Sequence, residues 1–213
     1  AINDAIKNLN TGDILLVAGK GHEKTQDYGR KKTFFSDQKI ILESIKLKNK
    51  SLSKDLKLNI IKEQSKSKIS NKLYIKDISI NKKIIKKNDV FFAIQGKRVD
   101  GNRFVAEALK KKSSFAVVNR VNKKYSSSKQ IKVNNSLNFL SKCSSIYRDN
   151  INAKIISITG SCGKTTLKEM IGLTLKTISR TTFSPKSFNN KYGVPLSLFN
   201  LKQNDKFGVF EVG

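Results

Sequence analysis

The chain has 213 residues, room for one large or two small domains with real cores. Lysine and arginine number 43 against 16 aspartates and glutamates, a formal net charge of +27. The cations are scattered beside Ile, Asn and Ser instead of gathered on one helix, which favours a compositional drift over a nucleic-acid footprint.

No apolar run approaches membrane-spanning length and no signal peptide opens the chain. Cys143 and Cys162 lie far apart without metal-ligand spacing, so a structural disulfide is not expected and a reducing cytoplasm fits. The first residue is Ala and the last, Gly213, closes a strand-like run; the chain reads as a piece of something longer.

Residues 1–47 form a first unit. Asn3 or Asp4 begins a short helix, and Thr11-Gly12-Asp13 makes a turn. Ile14-Leu15-Leu16-Val17 reads as a buried strand that discharges into Ala18-Gly19-Lys20-Gly21-His22-Glu23, a polar Gly-x-Gly loop continued by Gln26, Tyr28 and Arg30. Phe34-Phe35 packs back, and Ser36 or Asp37 caps a helix with Ile40, Ile41 and Ile45 on one face. His22 is the only histidine, and without further ligand-type neighbours it makes no metal site. Residues 48–70, rich in Lys and Ser, read as an exposed connection or a weak helix opening the next domain.

Residues 71–150 read as a small α/β domain. Leu73-Tyr74-Ile75 and Ile78-Ser79-Ile80 are short strands, and Val90-Phe91-Phe92-Ala93-Ile94 is the strongest strand of the region. Phe104-Val105, Ala108 and Leu109 suit a helix, residues 115–118 and 131–133 suit strands, and Asn134 or Asn135 caps a helix through Leu137, Leu140 and Ile146. Between them lies NDVFFAIQGKRVDGNRF, with Asp100 and Gly101 at a glycine turn.

Residues 151–213 carry the chemistry. Ile155, Ile156 and Ile158 form a β-branched run, the turn Thr159-Gly160-Ser161-Cys162-Gly163-Lys164-Thr165-Thr166 follows, and Leu167, Met170, Ile171, Thr174 and Leu175 recur at helical spacing. Strand, glycine loop and helix are what a phosphate needs: backbone N–H groups turned inward and the positive end of a helix dipole. Lys164 reaches the outer phosphates and the Thr165 hydroxyl sits on Mg²⁺ in such a P-loop, although only Ser161 and Cys162 separate Gly160 from Gly163 where the general pattern has four residues. Pro195 is placed to open a helix at its first position. Glu211, at the end of Phe207-Gly208-Val209-Phe210-Glu211, is a strand-end carboxylate fit to share the metal.

The short loop TGSCGKTT resembles the ATP loop of the Mur ligase family, the enzymes that build the peptide stem of peptidoglycan. Lys168-Glu169-Met170 and the phrase Asn189-Asn190 with Gly193-Val194-Pro195-Leu196 resemble the members that add D-Ala-D-Ala. Asp100, Gly101 and Phe104 match the family's Asp-Gly-His-x-Phe turn, which helps seat the UDP end of the substrate; Asn102 stands in place of the histidine. Asn81-Lys82-Lys83 replaces an upstream Asp-Ser-Arg, and Lys83 keeps the charge without the planar fork. AGKGHE, Gln26 and FSD resemble instead the end of the members that add the third amino acid, where Gly19 and Glu23 match positions contacting the incoming diamino acid.

The resemblance implies an α/β chain of four parts: the tail of a ligase C-terminal domain (1–47), a linker (48–70), an N-terminal UDP-substrate domain (71–150) and the truncated start of a central ATP-binding domain (151–213). It implies ATP and Mg²⁺, with Gly160, Ser161, Cys162, Gly163, Lys164, Thr165 and Thr166 on the nucleotide and Thr165 and Glu211 on the metal. Lys164 is the catalytic residue, and Asn189, Asn190, Lys83, Asp100 and Gly101 contact substrate. The partners implied are a UDP-N-acetylmuramoyl-peptide and D-Ala-D-Ala, joined through an acyl phosphate. The chain alone is expected to hold nucleotide without ligating. Two alternatives stay open: another ligase of the superfamily, such as folylpolyglutamate synthase, and a basic nucleic-acid-binding protein.

Overall fold

The computed structural model describes all residues except 10–12, 19–24, 28, 30–31, 68, 70–72, 74, 97–98 and 186–187, and only the backbone at 26–27, 49–55 and 127. It divides into two units, Ala1–Leu52 and Ser53–Gly213.

In the first unit, helix α1 (Ile2–Asn8) buries Ile6, and strands β1 (Thr25–Asp27) and β2 (Lys32–Phe34) pair antiparallel with Gln26 opposite Thr33. Helix α2 (Asp37–Ser65) starts where Ser36 caps it, its hydroxyl accepting the Lys39 N–H. Ser44 donates to the Asn3 side chain, and Lys48 Nζ donates at 2.8 Å to the Ile6 carbonyl, which also accepts the Leu9 N–H at the end of α1. The strand expected at 14–17 is absent: these residues have no regular structure, and Ile14 and Leu16 are almost fully exposed. A buried strand needs paired neighbours, and the described residues provide none here.

Of the two readings of 48–70, the helix is the one seen over 48–65. These residues continue α2, and its end drives Leu58, Ile60 and Ile61 into the core of the second unit. The interspersed lysines hide this in the sequence, because among the described residues the apolar side chains that α2 buries lie near its end, while Leu42, Ile45 and Leu47 are exposed.

The second unit begins with four parallel strands in sequential order: β3 (Ile78–Ser79), β4 (Val90–Phe92), β5 (Phe115–Val118) and β6 (Gln130–Lys132). Ile75 is buried, but no strand forms among the described residues of 73–75. Alternation sorts the side chains. Val90, Phe92, Phe115 and Val117 face one core with Leu140, Cys143 and Tyr147 of helix α4 (Ser136–Asp149). Phe91, Ala93, Ala116 and Val118 face another under helix α3 (Val105–Lys110). A parallel sheet covered on both faces is a stable solution for such continuous apolar strands.

A second parallel sheet follows, ordered β7 (Lys154–Ile158), β9 (Phe207–Glu211), β8 (Thr181–Phe183), with helix α5 (Lys164–Ile178) between β7 and β8 and helix α6 (Gly193–Leu198) between β8 and β9. The two sheets share one core: Phe199, Leu201 and Phe210 join the α4 cluster, and the Tyr147 hydroxyl donates to the Leu201 carbonyl at 2.7 Å. Pro195 is the third residue of α6, not the first; the opening turn of a helix has no acceptors for its N–H groups, so the missing donor costs nothing there. Of the residues recurring at helical spacing along α5, Leu167, Met170 and Thr174 are exposed while Ile171 and Leu175 are half-buried, and of β7 only Ile158 is buried.

Candidate active site

Parallel pairing fixes the geometry of the site. β7 and β9 run together with Ile158 opposite Glu211, so the loop leaving β7 and the carboxylate ending β9 emerge side by side at the C-terminal edge of the sheet. Glycine makes the loop possible: Gly160 and Gly163 hold φ of +146° and +73°, and Gly163 is the left-handed residue from which α5 starts. Helix α5 then points its positive end and unpaired first-turn N–H groups at the loop. Ser161, Cys162 and Gly163 are exposed along it, and Lys164 Nζ, partly exposed, donates to the Gly160 carbonyl.

Thr165 and Glu211 meet directly. The Thr165 hydroxyl donates to Glu211 Oε2 at 2.7 Å, and Asn189 Nδ2 donates to Glu211 Oε1 at 2.8 Å. The Asn189 amide first, then the Thr165 hydroxyl, hold the Glu211 carboxyl below its usual range although the residue is buried. Asn189 is fixed in turn, because its carbonyl accepts the Gly213 N–H at 2.7 Å. The arrangement offers a hard-oxygen pair, one hydroxyl and one carboxylate, beside an anion-binding helix end. Among the described residues no group of three or more His, Cys, Asp or Glu could hold a metal alone. Mg²⁺ fits such a site, since it ordinarily uses one or two protein carboxylates and completes its shell with phosphate oxygens and water.

The remaining expected contacts lie elsewhere. Asn190 Oδ1 accepts the N–H groups of Tyr192 and Gly193 at 3.0 Å each, so its side-chain oxygen is occupied in capping α6. Asp100 accepts from the Asn102 N–H and side-chain amide at 2.9 and 2.7 Å, the amide being the larger cause of a carboxyl held below its usual range. Gly101 sits so close to the segment leaving β4 that a Cβ would come within 2.7 Å of the Ile94 backbone N and O. Asn102, in the place of the family's histidine, accepts from the N–H groups of Asn119 and Arg120. Lys83 is exposed in a turn whose N–H is held by Asn81 Oδ1. Gly19 and Glu23 lie outside the described residues.

Sequence reasoning passed over two residues. Lys168, read only as part of a triplet, is fully buried; its Nζ donates to the Ser184 carbonyl at 2.6 Å and pairs with Glu169 Oε1 at 3.0 Å. Ser184 Oγ accepts the Glu211 N–H at 3.3 Å. The signal was available in spacing: Lys168 lies four residues before Gly172, which packs on Phe183, so both occupy the face of α5 turned to the sheet.

Residues 158–213 match the Mur ligase middle domain. The UDP-N-acetylmuramoyl-tripeptide--D-alanyl-D-alanine ligase of Rickettsia prowazekii is 34% identical over 145 residues, 68% of this chain and 32% of that protein. Among solved structures, the UDP-N-acetylmuramoylalanyl-D-glutamyl-2,6-diaminopimelate--D-alanyl-D-alanyl ligase of Acinetobacter baumannii superposes with a TM-score of 0.65 at 30% identity, over 73% of this chain and 35% of that one. The MurF ligase of Thermotoga maritima, solved in complex with ADP, superposes with a TM-score of 0.57 at 32% identity, over 64% of this chain and 31% of that one. The chain spans about a third of the length of these relatives.

Proposed function

We propose, from a chain that belongs to the Mur ligase family through residues 158–213 and its ligase homologues, an ATP-dependent, ADP-forming ligase that joins D-Ala-D-Ala to a UDP-N-acetylmuramoyl-tripeptide in the cytoplasm. The observation that carries this reading is the Thr165–Glu211 pair at the mouth of a glycine loop that opens a helix.

In this reading residues 151–213 hold the nucleotide and residues 71–150 seat the UDP end of the substrate. Residues 1–47 are the tail of a tripeptide-forming relative, with Gly19 and Glu23 on its amino acid, and 48–70 join the two. The loop N–H groups from Gly160 to Thr166 cradle the polyphosphate. Lys164 Nζ exchanges the Gly160 carbonyl for a phosphate oxygen and neutralises the charge that develops as the γ-phosphoryl group passes to the substrate carboxylate. The amine of D-Ala-D-Ala then attacks the acyl carbon, phosphate leaves with the acyl C–O electrons, and the nitrogen releases its proton as the amide forms. Thr165 and Glu211 would hold Mg²⁺, which would supply neutralisation of phosphate charge. Asn189 orients the Glu211 carboxylate and so serves the substrate contact expected of it indirectly.

Equilibrium dialysis tests the substrate class. The chain is expected to retain UDP-N-acetylmuramoyl-tripeptide and not a folate. Retention of folate alone would favour the folylpolyglutamate synthase alternative, and strongly salt-dependent RNA binding that survives Lys164→Ala would favour the nucleic-acid reading.

A further inference from the structure

Lys168 is the one side chain of α5 whose charge is wholly withdrawn from water, at 0% exposure. Burying an ammonium is costly, and an apolar side chain of similar length often serves a fold as well or better. Stability therefore gives no reason for a lysine at this position. Its contacts give one. Nζ donates to the Ser184 carbonyl at 2.6 Å just past the end of β8, while the N–H of Ser184 donates to the Val209 carbonyl of β9 at 3.0 Å. The Ser184 hydroxyl accepts the N–H of Glu211 at 3.3 Å. Ser184 is itself buried, so this chain of bonds exchanges with no solvent. One turn before Lys168 on the same helix, Thr165 donates to the Glu211 carboxylate.

We infer that Lys168 is a positioning residue: through Ser184 it locks the helix carrying the phosphate loop to the strand end carrying Glu211, so that the Thr165 hydroxyl and the Glu211 carboxylate are held together as one hard-oxygen pair. The inference rests on the nucleotide-and-metal reading of the site. Lys168 touches neither nucleotide nor metal; it sets the separation of the two groups that do. Glu169 Oε1, at 3.0 Å, balances the buried charge without drawing Nζ from the Ser184 carbonyl. The pair matters only for metal-assisted binding, whereas the loop N–H groups and Lys164 grip phosphate without it.

This separation gives the test. ADP binding is measured by calorimetry with and without Mg²⁺ for the unaltered chain, Lys168→Met and Ser184→Ala. Lys168→Met keeps the length of the side chain and removes the ammonium; Ser184→Ala cuts the same chain of bonds at its other end with little effect on packing. Mg²⁺ should tighten ADP binding to the unaltered chain, and both variants should lose that enhancement by roughly fivefold or more while Mg²⁺-free binding stays within about twofold. An unchanged Mg²⁺ enhancement in both variants overturns the inference and leaves the nucleotide reading standing. Equal loss of Mg²⁺-free and Mg²⁺-assisted binding also overturns it, since it would mark a purely structural role. Absence of ADP binding to the unaltered chain removes the nucleotide reading and this inference together. Should Lys168→Met fail to fold, Ser184→Ala decides by the same criteria.

Discussion

The Thr165 hydroxyl donates to Glu211 Oε2 at 2.7 Å across a sequence separation of 46 residues, joining the first turn of α5 to the last residue of β9. Parallel register brings them together, a hydroxyl and a carboxylate side by side at the C-terminal edge of the sheet.

Replacing Thr165 by valine keeps the shape and removes the donor. The fold should lose about 1 kcal/mol, the usual net worth of a hydrogen bond. Mg²⁺-assisted ADP affinity should fall by roughly tenfold or more, about 1.4 kcal/mol. Urea denaturation and calorimetry measure the two effects separately; an unaltered Mg²⁺-assisted affinity would show that the hydroxyl takes no part.

The two cysteines should react very differently. Burial pushes the Cys143 thiol up to about 12, so in the folded chain it stays protonated and inaccessible at pH 8, whereas Cys162 is exposed in the glycine loop after β7. Intact-mass analysis after alkylation should find one modified thiol in the folded chain and two in denaturant. ADP should slow the single modification, and modification should abolish ADP binding. Protection that ADP fails to provide would place the nucleotide elsewhere.

Acid should act on the turn after β4. The Asn102 side-chain amide and N–H hold the Asp100 carboxyl below its usual range, so near pH 4 the unfolded chain binds more protons than the folded one. The stability from this carboxylate is therefore fully present above the unfolded value and is lost as pH falls through the lower folded value. Asn102→Ala should raise the folded Asp100 value and flatten that part of the acid limb. Urea midpoints between pH 7 and pH 3 read the effect; an unchanged slope would mean that another carboxylate governs it.

Gly101 is fixed by a close backbone contact. A Cβ 2.7 Å from the Ile94 backbone cannot be accommodated by a side-chain rotation, so Gly101→Ala should destabilise the chain by roughly 1–3 kcal/mol. The readout is the denaturation midpoint, and a variant as stable as the parent would show that the turn can move aside.

Much of this architecture was legible in the chain. β5 spans Phe115–Val118 as its continuous apolar run predicts, and Asn135 caps α4 by accepting the N–H groups of Leu137 and Asn138. Such local signals carry their own partners. The placement of the loop and Glu211 was readable for a related reason: strand, glycine turn and helix follow one another in the chain, and Glu211 closes an apolar run that forms the neighbouring parallel strand. Residues whose roles depend on distant partners were not. Ile14-Leu15-Leu16-Val17 has the composition of a buried strand and lacks neighbours among the described residues, while Leu58 and Ile61 look like linker until α2 turns them inward. Lys168 hides in a lysine-rich chain because composition says nothing about which ammonium is buried.

Calorimetric titration with MgADP of the unaltered chain, Lys164→Ala and Glu211→Gln bears most directly on the nucleotide site. The unaltered chain should bind, and each variant should bind at least roughly tenfold more weakly while still unfolding in one cooperative transition well above the assay temperature. MgADP binding that both variants retain in full, or that the unaltered chain never shows, would contradict it.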